Sequence, residues 1–230
     1  MNQYKVQIAL DVTEESEALR IAGMVDNACR SGILDPQRVI LEAGTPLVKL
    51  FGMSILGKIK LASPNTHLMA DLKTADVGRL EASLAYSNLA DSVSVLALAP
   101  RSTVKSVLLT GKEFNRGVVV DFIGVFDLKA KAEEVVRLVK EVDFPGENIV
   151  FEFHRGIDEE KGRSVEEFFK EVVETVQYLR RSFPEIKIAV AGGITPQLKQ
   201  GLEQSVKPDI YVVGRYITSN PVIERLLDFF

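Results

Sequence analysis

The segment Asp71-Leu72-Lys73-Thr74-Ala75-Asp76 brings two carboxylates and an ammonium group together at the end of a strand-like run. In a strand, Asp71 and Lys73 share one face because their positions differ by two. Opposite charges held side by side keep each other ionised, which suits electrostatic or acid–base chemistry in a pocket. The alternative is a structural ion pair, with Asp76 favoured near a helix N-terminus. Spacing alone does not say which pocket Asp76 faces.

Further ionisable residues stand at or near the ends of other strand-like runs: Asp11, Glu42, Asp121 and His154. Glu42 together with Asp71 would offer two hard carboxylate oxygens, the coordination style of Mg²⁺ rather than of zinc. His154 suits a general acid–base role because its unperturbed pKa lies near working pH. A solvated loop charge is the alternative for Glu42, and a structural role is the alternative for His154. We interpret His67, at the opposite end of its run, as structural.

A third group of residues could hold a phosphate. The double glycine that ends in Gly193 follows one apolar run, and Gly214-Arg215 follows the next. Backbone N–H groups of such loops bind phosphate in many barrels, and a guanidinium can add a charge-assisted contact. Glycines after a strand also make ordinary tight turns. Because both loops carry the pattern, we expect a phosphorylated substrate.

Short β-rich runs alternate with amphipathic helical patterns along the chain. The strand-like runs are 6–11, 38–43, 67–73, 92–98, 117–122, 148–154, 187–191 and 210–213. The helical patterns are 14–27, 77–87, 103–114, 128–141, 164–183, 196–205 and 221–230, with a weaker one at 46–56 that Gly52 interrupts. This alternation predicts one (β/α)8 TIM barrel over residues 1–230, with function at the carboxyl ends of its strands. A doubly wound open sheet is the structural alternative.

Composition narrows the classes of partner. Of 230 residues, 46% are hydrophobic and 26% charged, which fits a globular domain with a sizeable core. The net charge is -4 and the basic residues are scattered, so we expect no nucleic-acid partner. No segment approaches the ~20 apolar residues of a membrane helix. With one cysteine, Cys29, and no secretory pattern at the start, we expect a cytoplasmic protein.

Six segments resemble the orotidine 5'-monophosphate decarboxylase suprafamily, and within it the 3-hexulose-6-phosphate synthases. The segments cover nearly the whole chain and are 7–11 (QIALD), 42–47 (EAGTPL), 70–78 (ADLKTADVG), 154–158 (HRGID), 190–194 (VAGGI) and 213–218 (VGRYIT). The Asp-x-Lys-x-x-Asp pattern of Asp71, Lys73 and Asp76 is specific to the suprafamily. The resemblance implies a TIM-barrel enzyme that acts on a phosphorylated sugar.

Two residues separate the branches of the suprafamily. Glu42 stands where orotidine decarboxylases, which need no metal, usually carry Lys. The 3-keto-L-gulonate-6-phosphate decarboxylases share the Glu but have a His-Arg-x-Arg-Asp motif, in which Ile157 replaces the second Arg here. The pattern His-x-Gly-x-Asp from His154 and the pair Val120-Asp121 are similar to the synthases. A decarboxylase of a 3-keto sugar-acid phosphate remains the second hypothesis.

The resemblance implies roles for individual residues. Glu42 and Asp71 would bind Mg²⁺, and the ion would stabilise a cis-enediolate of ribulose 5-phosphate that adds to formaldehyde. His154 would move the C1 proton and Lys73 would steady the enediolate. The phosphate would lie on Gly193, Gly214 and Arg215, and Asp11 would belong to the catalytic group. Asp76 would reach the neighbouring subunit's site, which implies a homodimer.

The chain departs from the synthase pattern at two positions. Ala75 stands where synthases often carry Met, and the segment 98–101 (LAPR) lacks the expected Gly-Val-Ala-Asp type of sequence. These differences leave the substrate more open than the reaction class. A non-enzymatic phosphosugar-binding barrel is the third hypothesis, and the unusual segment 98–101 is its only support.

Overall fold

Eight parallel strands close into a barrel in the computed structural model of this chain, which describes residues 4–156, Asp158 and 165–230. Each strand pairs with its neighbours in chain order, and β8 returns to β1. The strands are β1 Lys5–Leu10, β2 Val39–Ala43, β3 His67–Thr74, β4 Ser92–Leu96, β5 Gly117–Asp121, β6 Ile149–His154, β7 Lys187–Ala191 and β8 Ile210–Val213. The predicted TIM barrel is therefore confirmed, and an open doubly wound sheet is ruled out.

Helices follow every strand. They are α1 Glu15–Arg30, α2 Thr45–Phe51, α3 Ser54–Ala62, α4 Gly78–Ser87, α5 Arg101–Phe114, α6 Leu128–Glu141, α7 Val165–Ser182, α8 Pro196–Ser205, α9 Arg215–Thr218 and α10 Ile223–Leu227. The weak pattern at 46–56 is two helices rather than one, because Gly52 has φ 67° and ends α2. The described backbone of α7 starts at Val165, so residue 164 of the predicted helix lies outside the described part of the chain.

Local sequence fixes several helix starts. The Asp127 side chain accepts a hydrogen bond from the backbone N–H of Ala130, and the Thr195 side chain accepts one from Leu198. Pro196, in the first turn of α8, donates no backbone hydrogen bond where none is needed. These caps place α6 and α8 directly after the strand-end loops, so the loops between strand and helix are short.

Two apolar layers hold the barrel. A small inner layer fills the barrel itself: Ala9, Ile40, Met69, Val119, Ala189, Ala191, Ile210 and Val212. A much larger outer layer lies between the strands and the helices and includes Phe151 and Phe153 of β6, which both pack on Phe122. Phe229 is fully buried near the C-terminus. Side chains alternate between the two layers, so every second residue of a strand faces the interior.

At the amino end of the barrel, charges are paired. Asp91 precedes β4, accepts the backbone N–H of Leu68 at 2.9 Å and forms ion pairs with Lys60 and Arg116. Asp209 precedes β8, accepts the backbone N–H of Ile188 at 2.7 Å and pairs with Arg180. The two aspartates thus tie one strand to the next by the same device.

His67 also lies at this amino end, where its Nε2 forms a 2.8 Å hydrogen bond with Ser92 Oγ. Burial lowers the pKa of His67 to about 4. The expected structural role of His67 agrees with this environment. No helix in the described part of the chain combines the length and apolar character needed to cross a membrane.

Candidate active site

The predicted catalytic and metal-binding residues, Asp76 excepted, converge at the carboxyl end of the barrel. Ala9 pairs with Glu42, and Glu42 pairs with Met69, so Glu42 faces the interior between β1 and β3. Asp71 follows Met69 by two positions and therefore faces the interior one layer higher. Asp121 and His154 come from β5 and β6 by the same alternation. The alternation along the strands thus brings these carboxylates and His154 together at the carboxyl-end opening, or mouth, of the barrel.

Lys73 is the central cation of this mouth. Its Nζ lies 2.7 Å from Asp121 Oδ2 and 3.0 Å from Asp71 Oδ2, and its side chain is 24% exposed. Burial alone would lower the pKa of Lys73, but the charges of Asp71, Asp121 and Glu152 outweigh it and raise the pKa above its ordinary value. Lys73 therefore stays charged and is not a proton acceptor. It can steady negative charge that develops on a bound molecule.

The backbone of Lys73 is strained. Its φ is 45°, in the left-handed region that non-glycine residues rarely adopt, and the pairing of β3 with β4 is irregular between Ala70 and Thr74. The Lys73 N–H donates to Ser94 Oγ at 2.8 Å, and the same hydroxyl donates to Asp71 Oδ1 at 2.7 Å. One serine thereby orients both the lysine backbone and the aspartate side chain. Such strain commonly marks a functional site.

Asp71 is held on both of its oxygens. Besides the Ser94 bond, Oδ2 accepts a hydrogen bond from Thr45 Oγ1 at 2.7 Å, and the residue is 5% exposed. Thr45 begins α2 directly after Gly44, so the loop that follows β2 reaches across to β3. The Asp71 carboxylate is consequently fixed in one orientation before any ligand arrives.

Glu42 and Asp11 add two more carboxylates. Glu42 is 5% exposed and accepts a 2.7 Å hydrogen bond from Gln7 Nε2. Burial, together with the charges of Asp71 and Asp11, raises the pKa of Glu42 well above its ordinary value. Asp11 lies past the end of β1 and keeps solvent contact, yet partial desolvation and the Asp71 charge raise its pKa too. A Cβ on Gly44 would meet Asp11 Oδ1 and the Leu10 carbonyl oxygen, so the turn after β2 lies close against the end of β1.

His154 lies beside two acids. Its Nδ1 is 3.5 Å from Asp121 Oδ2 and 3.5 Å from Glu152 Oε1. Burial would raise the pKa of Asp121, but its interactions with His154 and Lys73 outweigh this and lower the pKa below the ordinary value. Burial, followed by the charges of Asp121 and Glu42, raises the pKa of Glu152 well above its ordinary value. The pKa values of these two neighbouring carboxyl groups are therefore shifted in opposite directions.

The donor set fits a divalent cation. Glu42, Asp71 and Asp11 bring three carboxylates into one partly buried space, where the pKa values of Glu42 and Asp11 are raised first by burial and then by mutual repulsion. A bound cation would relieve it. Among the described residues, the compact three-donor group is instead Asp121, Glu152 and His154, with one donor atom of each within 4.8 Å of the others. Lys73 pairs with one acid of each group, Asp71 and Asp121, and the all-carboxylate group is the one whose oxygen ligands suit Mg²⁺.

Asp76 does not join the site of its own subunit. It is exposed past the end of β3, beside a shallow depression on α4 and α5 that Leu80 and Thr103 also line. Within the described residues it forms no hydrogen bond or ion pair with the other site residues. Val77 and Leu80, 56% and 59% exposed, stand next to it. Asp76 and two apolar side chains thus share one open surface.

The predicted phosphate-binding residues follow neighbouring strands. Gly193 has φ 70° and lies in the exposed turn after β7, while Gly214 immediately follows β8 and Arg215 begins α9. A Cβ on Gly192, with φ 104°, would overlap the carbonyl of Arg155. Gly192 therefore packs the loop, and Gly193 is the glycine left open to a ligand. Ile157, which separates the branches of the suprafamily, lies outside the described residues.

Sequence reasoning missed several side chains that build this site. Gln7, Thr45 and Ser94 orient the carboxylates, and Glu152 lies beside Asp121 on the neighbouring strand. The alternation of strand residues could have found Gln7 and Glu152, since they precede Asp11 and His154 by four and two positions. Thr45 and Ser94 act across strands, and no spacing along the chain indicates such contacts.

Comparison with known proteins agrees with the geometry. The chain is 38% identical over 156 residues to the 3-hexulose-6-phosphate synthase of Mycobacterium gastri, covering 68% of this chain and 67% of that protein. It is 32% identical over 238 residues to the bifunctional enzyme Fae/Hps of Methanoculleus marisnigri, covering 98% of this chain. The match spans about half of that longer protein, 51% of its length.

The fold has a close counterpart among crystal structures. A structure of 3-hexulose-6-phosphate synthase superposes with a TM-score of 0.80 at 29% identity, over 98% of this chain and 97% of that one. A sequence model of the orotidine 5'-phosphate decarboxylase / HUMPS family matches residues 4–224, nearly the whole chain. This protein therefore belongs to the orotidine 5'-phosphate decarboxylase / HUMPS family.

Proposed function

We propose that this protein is a Mg²⁺-dependent 3-hexulose-6-phosphate synthase, a lyase that joins ribulose 5-phosphate and formaldehyde through a cis-enediolate. The observation that carries the proposal is the fixed cation of Lys73 between Asp71 and Asp121, with His154 adjacent, in a mouth whose other carboxylates are short of positive charge. The relative at 38% identity bears the name of this activity. A pure binding barrel has no need for this combination.

Glu42 and Asp71 are the residues that would hold the magnesium ion. When bound, the ion would supply positive charge next to the oxygens of the substrate, where negative charge develops during the reaction. Asp71 is fixed in advance by Thr45 and Ser94. Gln7 donates to Glu42 Oε2, which leaves Oε1 for a ligand. This side-chain support favours a preformed site.

His154 is the proposed acid and base. Its Nδ1 lies toward two carboxyl groups, so Nε2 is the nitrogen available to substrate, and the side chain is 21% exposed. Nε2 takes the proton from C1 of ribulose 5-phosphate, and the electron pair forms the enediolate. C1 then bonds to the carbon of formaldehyde, and the former aldehyde oxygen receives a proton. No atom is lost, and the product has six carbons.

Lys73 and the loops after β7 and β8 bind the remaining charges. The ammonium of Lys73 is held in place by two acids, so it can face an enediolate oxygen without rearrangement. Gly193, Gly214 and Arg215 would receive the phosphate, Gly193 and Gly214 through backbone N–H groups and Arg215 through its guanidinium as well. Asp11 lies near Gly214, with Oδ2 3.8 Å from the position of a Cβ there. Asp11 could therefore orient substrate hydroxyls between metal and phosphate.

We further propose a homodimer in which Asp76 completes the partner's site. Exposed apolar side chains beside Asp76, including Val77, Leu80 and Leu84, support the proposal because burial in an interface would remove them from water. A cytoplasmic location remains a prediction from the sequence.

The direct test supplies ribulose 5-phosphate with formaldehyde, and separately 3-keto-L-gulonate 6-phosphate, each with and without EDTA. We expect turnover of the first pair only, lost with EDTA and restored by Mg²⁺. Turnover of the keto-acid phosphate alone would move the protein to the decarboxylase branch. The Lys73→Ala variant separates enzyme from binding protein, because an enzyme should lose turnover while phosphosugar binding persists.

A further inference from the structure

Glu152 is a buried acid to which the proposed reaction assigns no role. It lies on β6 two positions before His154, so both side chains face the barrel interior. Its register partners are Asp121 on β5 and Ala189 on β7. The residue is 4% exposed, and the apolar inner layer lies directly below it. A carboxyl group in such a place needs partners.

Glu152 and His154 each have a buried polar atom without a hydrogen-bond partner. Among the described residues, the buried side-chain atoms without a hydrogen-bond partner are Glu152 Oε2 and His154 Nδ1. His154 Nδ1 lies 3.5 Å from Glu152 Oε1 and 3.5 Å from Asp121 Oδ2. A small rotation of the imidazole ring would convert either approach into a hydrogen bond. Catalytic hydrogen bonds are often this long before substrate binds.

The charges around Glu152 determine which hydrogen bonds its carboxyl group can make. Carboxylates face it from three strands, namely Asp121 on β5, Asp71 on β3 and Glu42 on β2, and Lys73 on β3 supplies the one nearby ammonium that influences it. On the β7 side the neighbour is the uncharged Ala189. Asp121 is paired with Lys73 and is ionised, whereas Glu152 has no such cation of its own. Burial and these carboxylates raise the pKa of Glu152 and favour its protonated form, which can accept through one oxygen and donate through the other.

We propose that Glu152 is a positioning residue for His154: together with Asp121 it brackets Nδ1, keeps the proton on that nitrogen and leaves Nε2 free as the base. A histidine whose second nitrogen has a fixed partner has a fixed tautomer and a fixed ring orientation. The kinetic part of this inference rests on the proposed synthase function. The tautomer itself does not, since it can be measured without substrate.

The tautomer test uses nuclear magnetic resonance. The chain has only two histidines, so ¹⁵N-labelled protein gives few imidazole signals, and the His67→Gln variant assigns them. At alkaline pH we expect the Nδ1–H form in the native protein and in Glu152→Gln, whose amide has the same donor and acceptor pattern. In Glu152→Leu we expect a substantial population of the Nε2–H form. The signals of His67 should not move.

Three outcomes would overturn the inference. The first is a native protein whose His154 carries its proton on Nε2. The second is an unchanged tautomer in Glu152→Leu. If Mg²⁺ added to the native protein displaces the Nδ1 proton, the group Asp121, Glu152 and His154 is a cation site, and the positioning role is equally lost. Should Glu152→Leu not fold, Glu152→Ala, which also removes the carboxyl group, decides the question through the same signals.

Kinetics supply the second readout. We expect Glu152→Leu to lower kcat by about 10- to 100-fold with KM unchanged, the range seen when an orienting partner is removed. Glu152→Gln should retain most of the activity. Val150→Ala, on the same face of β6, is the matched control for lost packing and should leave kcat unchanged. Equal damage from Glu152→Leu and Val150→Ala would contradict the role. If the native protein lacks synthase activity but the tautomer responds as expected, the proposed function fails and the positioning role stands.

Discussion

The two ends of the barrel both carry buried charges, but they treat them differently. At the amino end each described aspartate has its partners: Asp91 has Lys60 and Arg116, and Asp209 has Arg180. At the carboxyl end Asp71 and Asp121 share the ammonium of Lys73, and among the described residues two buried polar atoms lack a hydrogen-bond partner. The first arrangement lowers the energy of the fold. The second keeps electrostatic energy available for a ligand.

Cavity size does not reveal this difference. A cavity of about 430 Å³ opens at the amino end and is lined by His67, Asp91 and Arg116 among others. Within its lining His67 bonds to Ser92 and Asp91 pairs with Arg116, so these groups are already satisfied and volume alone does not mark a site. In this molecule, unsatisfied charge marks the site better than empty space. We therefore expect substitutions at the carboxyl end to change catalysis and substitutions at the amino end to change stability.

The two histidines give the sharpest form of this comparison. We expect His154→Gln to lower kcat by about 10²- to 10⁴-fold, the usual contribution of a general acid–base, with little change in unfolding temperature. His67→Gln should leave kcat nearly unchanged. Steady-state kinetics with ribulose 5-phosphate and formaldehyde, beside a thermal melt of each variant, provide the check. Equal kinetic losses in the two variants would erase the distinction between the ends.

The aspartate ties at the amino end should matter for stability. Replacing Asp91 with Ala leaves Lys60 and Arg116 without their acid and removes the bond to the Leu68 N–H. We expect a loss of about 2–4 kcal/mol in the free energy of unfolding, measured by urea denaturation. Asp209→Ala is the matched variant and should lose a similar amount. Specific activity of the folded fraction should persist, and its collapse would show that this end also supports catalysis.

The pH dependence of stability should expose His67. Burial lowers its pKa from 6.5 to about 4, so the unfolded chain binds the proton more readily. The stabilisation is complete above the unfolded pKa and is lost as pH falls from about 6.5 toward about 4. We expect His67→Gln to remove a pH-dependent contribution on the order of 2 kcal/mol over this window. Denaturation series at several pH values measure it, and identical slopes in both proteins would refute it.

Glu42 should show the opposite sign at the carboxyl end. Its pKa is raised above 4.5, so its contribution is fully present below that pH and is lost as pH rises through the folded value. At neutral pH and without metal, we therefore expect Glu42→Gln to be at least as stable as the native protein, with a free energy of unfolding higher by up to about 1 kcal/mol. Mg²⁺ should raise the unfolding temperature of the native protein and not of the variant. A native protein indifferent to Mg²⁺ would argue against the metal site.

The sequence predicted the barrel well because its signals are local and repeated. The bounds of β7, β8, α6 and α8 agree with the predicted patterns to the residue. Helix α9, Arg215–Thr218, was not predicted because four residues are too short to display a period. The strand ends therefore fell in the right places, and with them most of the candidate site residues.

The site was less predictable in its supporting contacts. The left-handed backbone of Lys73 is invisible in the residue type, since lysine has no preference for positive φ. Glu152 stands between two phenylalanines in the sequence, and only the barrel shows that it lies beside Asp121. Asp76 could be placed neither by spacing nor by one subunit, because the proposed partner is a second chain. What the sequence leaves open is side-chain orientation across strands.

The hydroxyl of Ser94 has a consequence for how this sequence can evolve. It joins the Lys73 backbone to the Asp71 carboxylate, so loss of this one oxygen would disturb two groups of the site at once. Residues on helix surfaces can be substituted one at a time, whereas threonine is the substitution at position 94 that keeps the hydroxyl oxygen. A sequence that loses the hydroxyl needs compensating substitutions at the end of β3, where Asp71 and Lys73 lie. The proposed reaction would thus depend on Ser94, a residue that takes no part in its chemical steps.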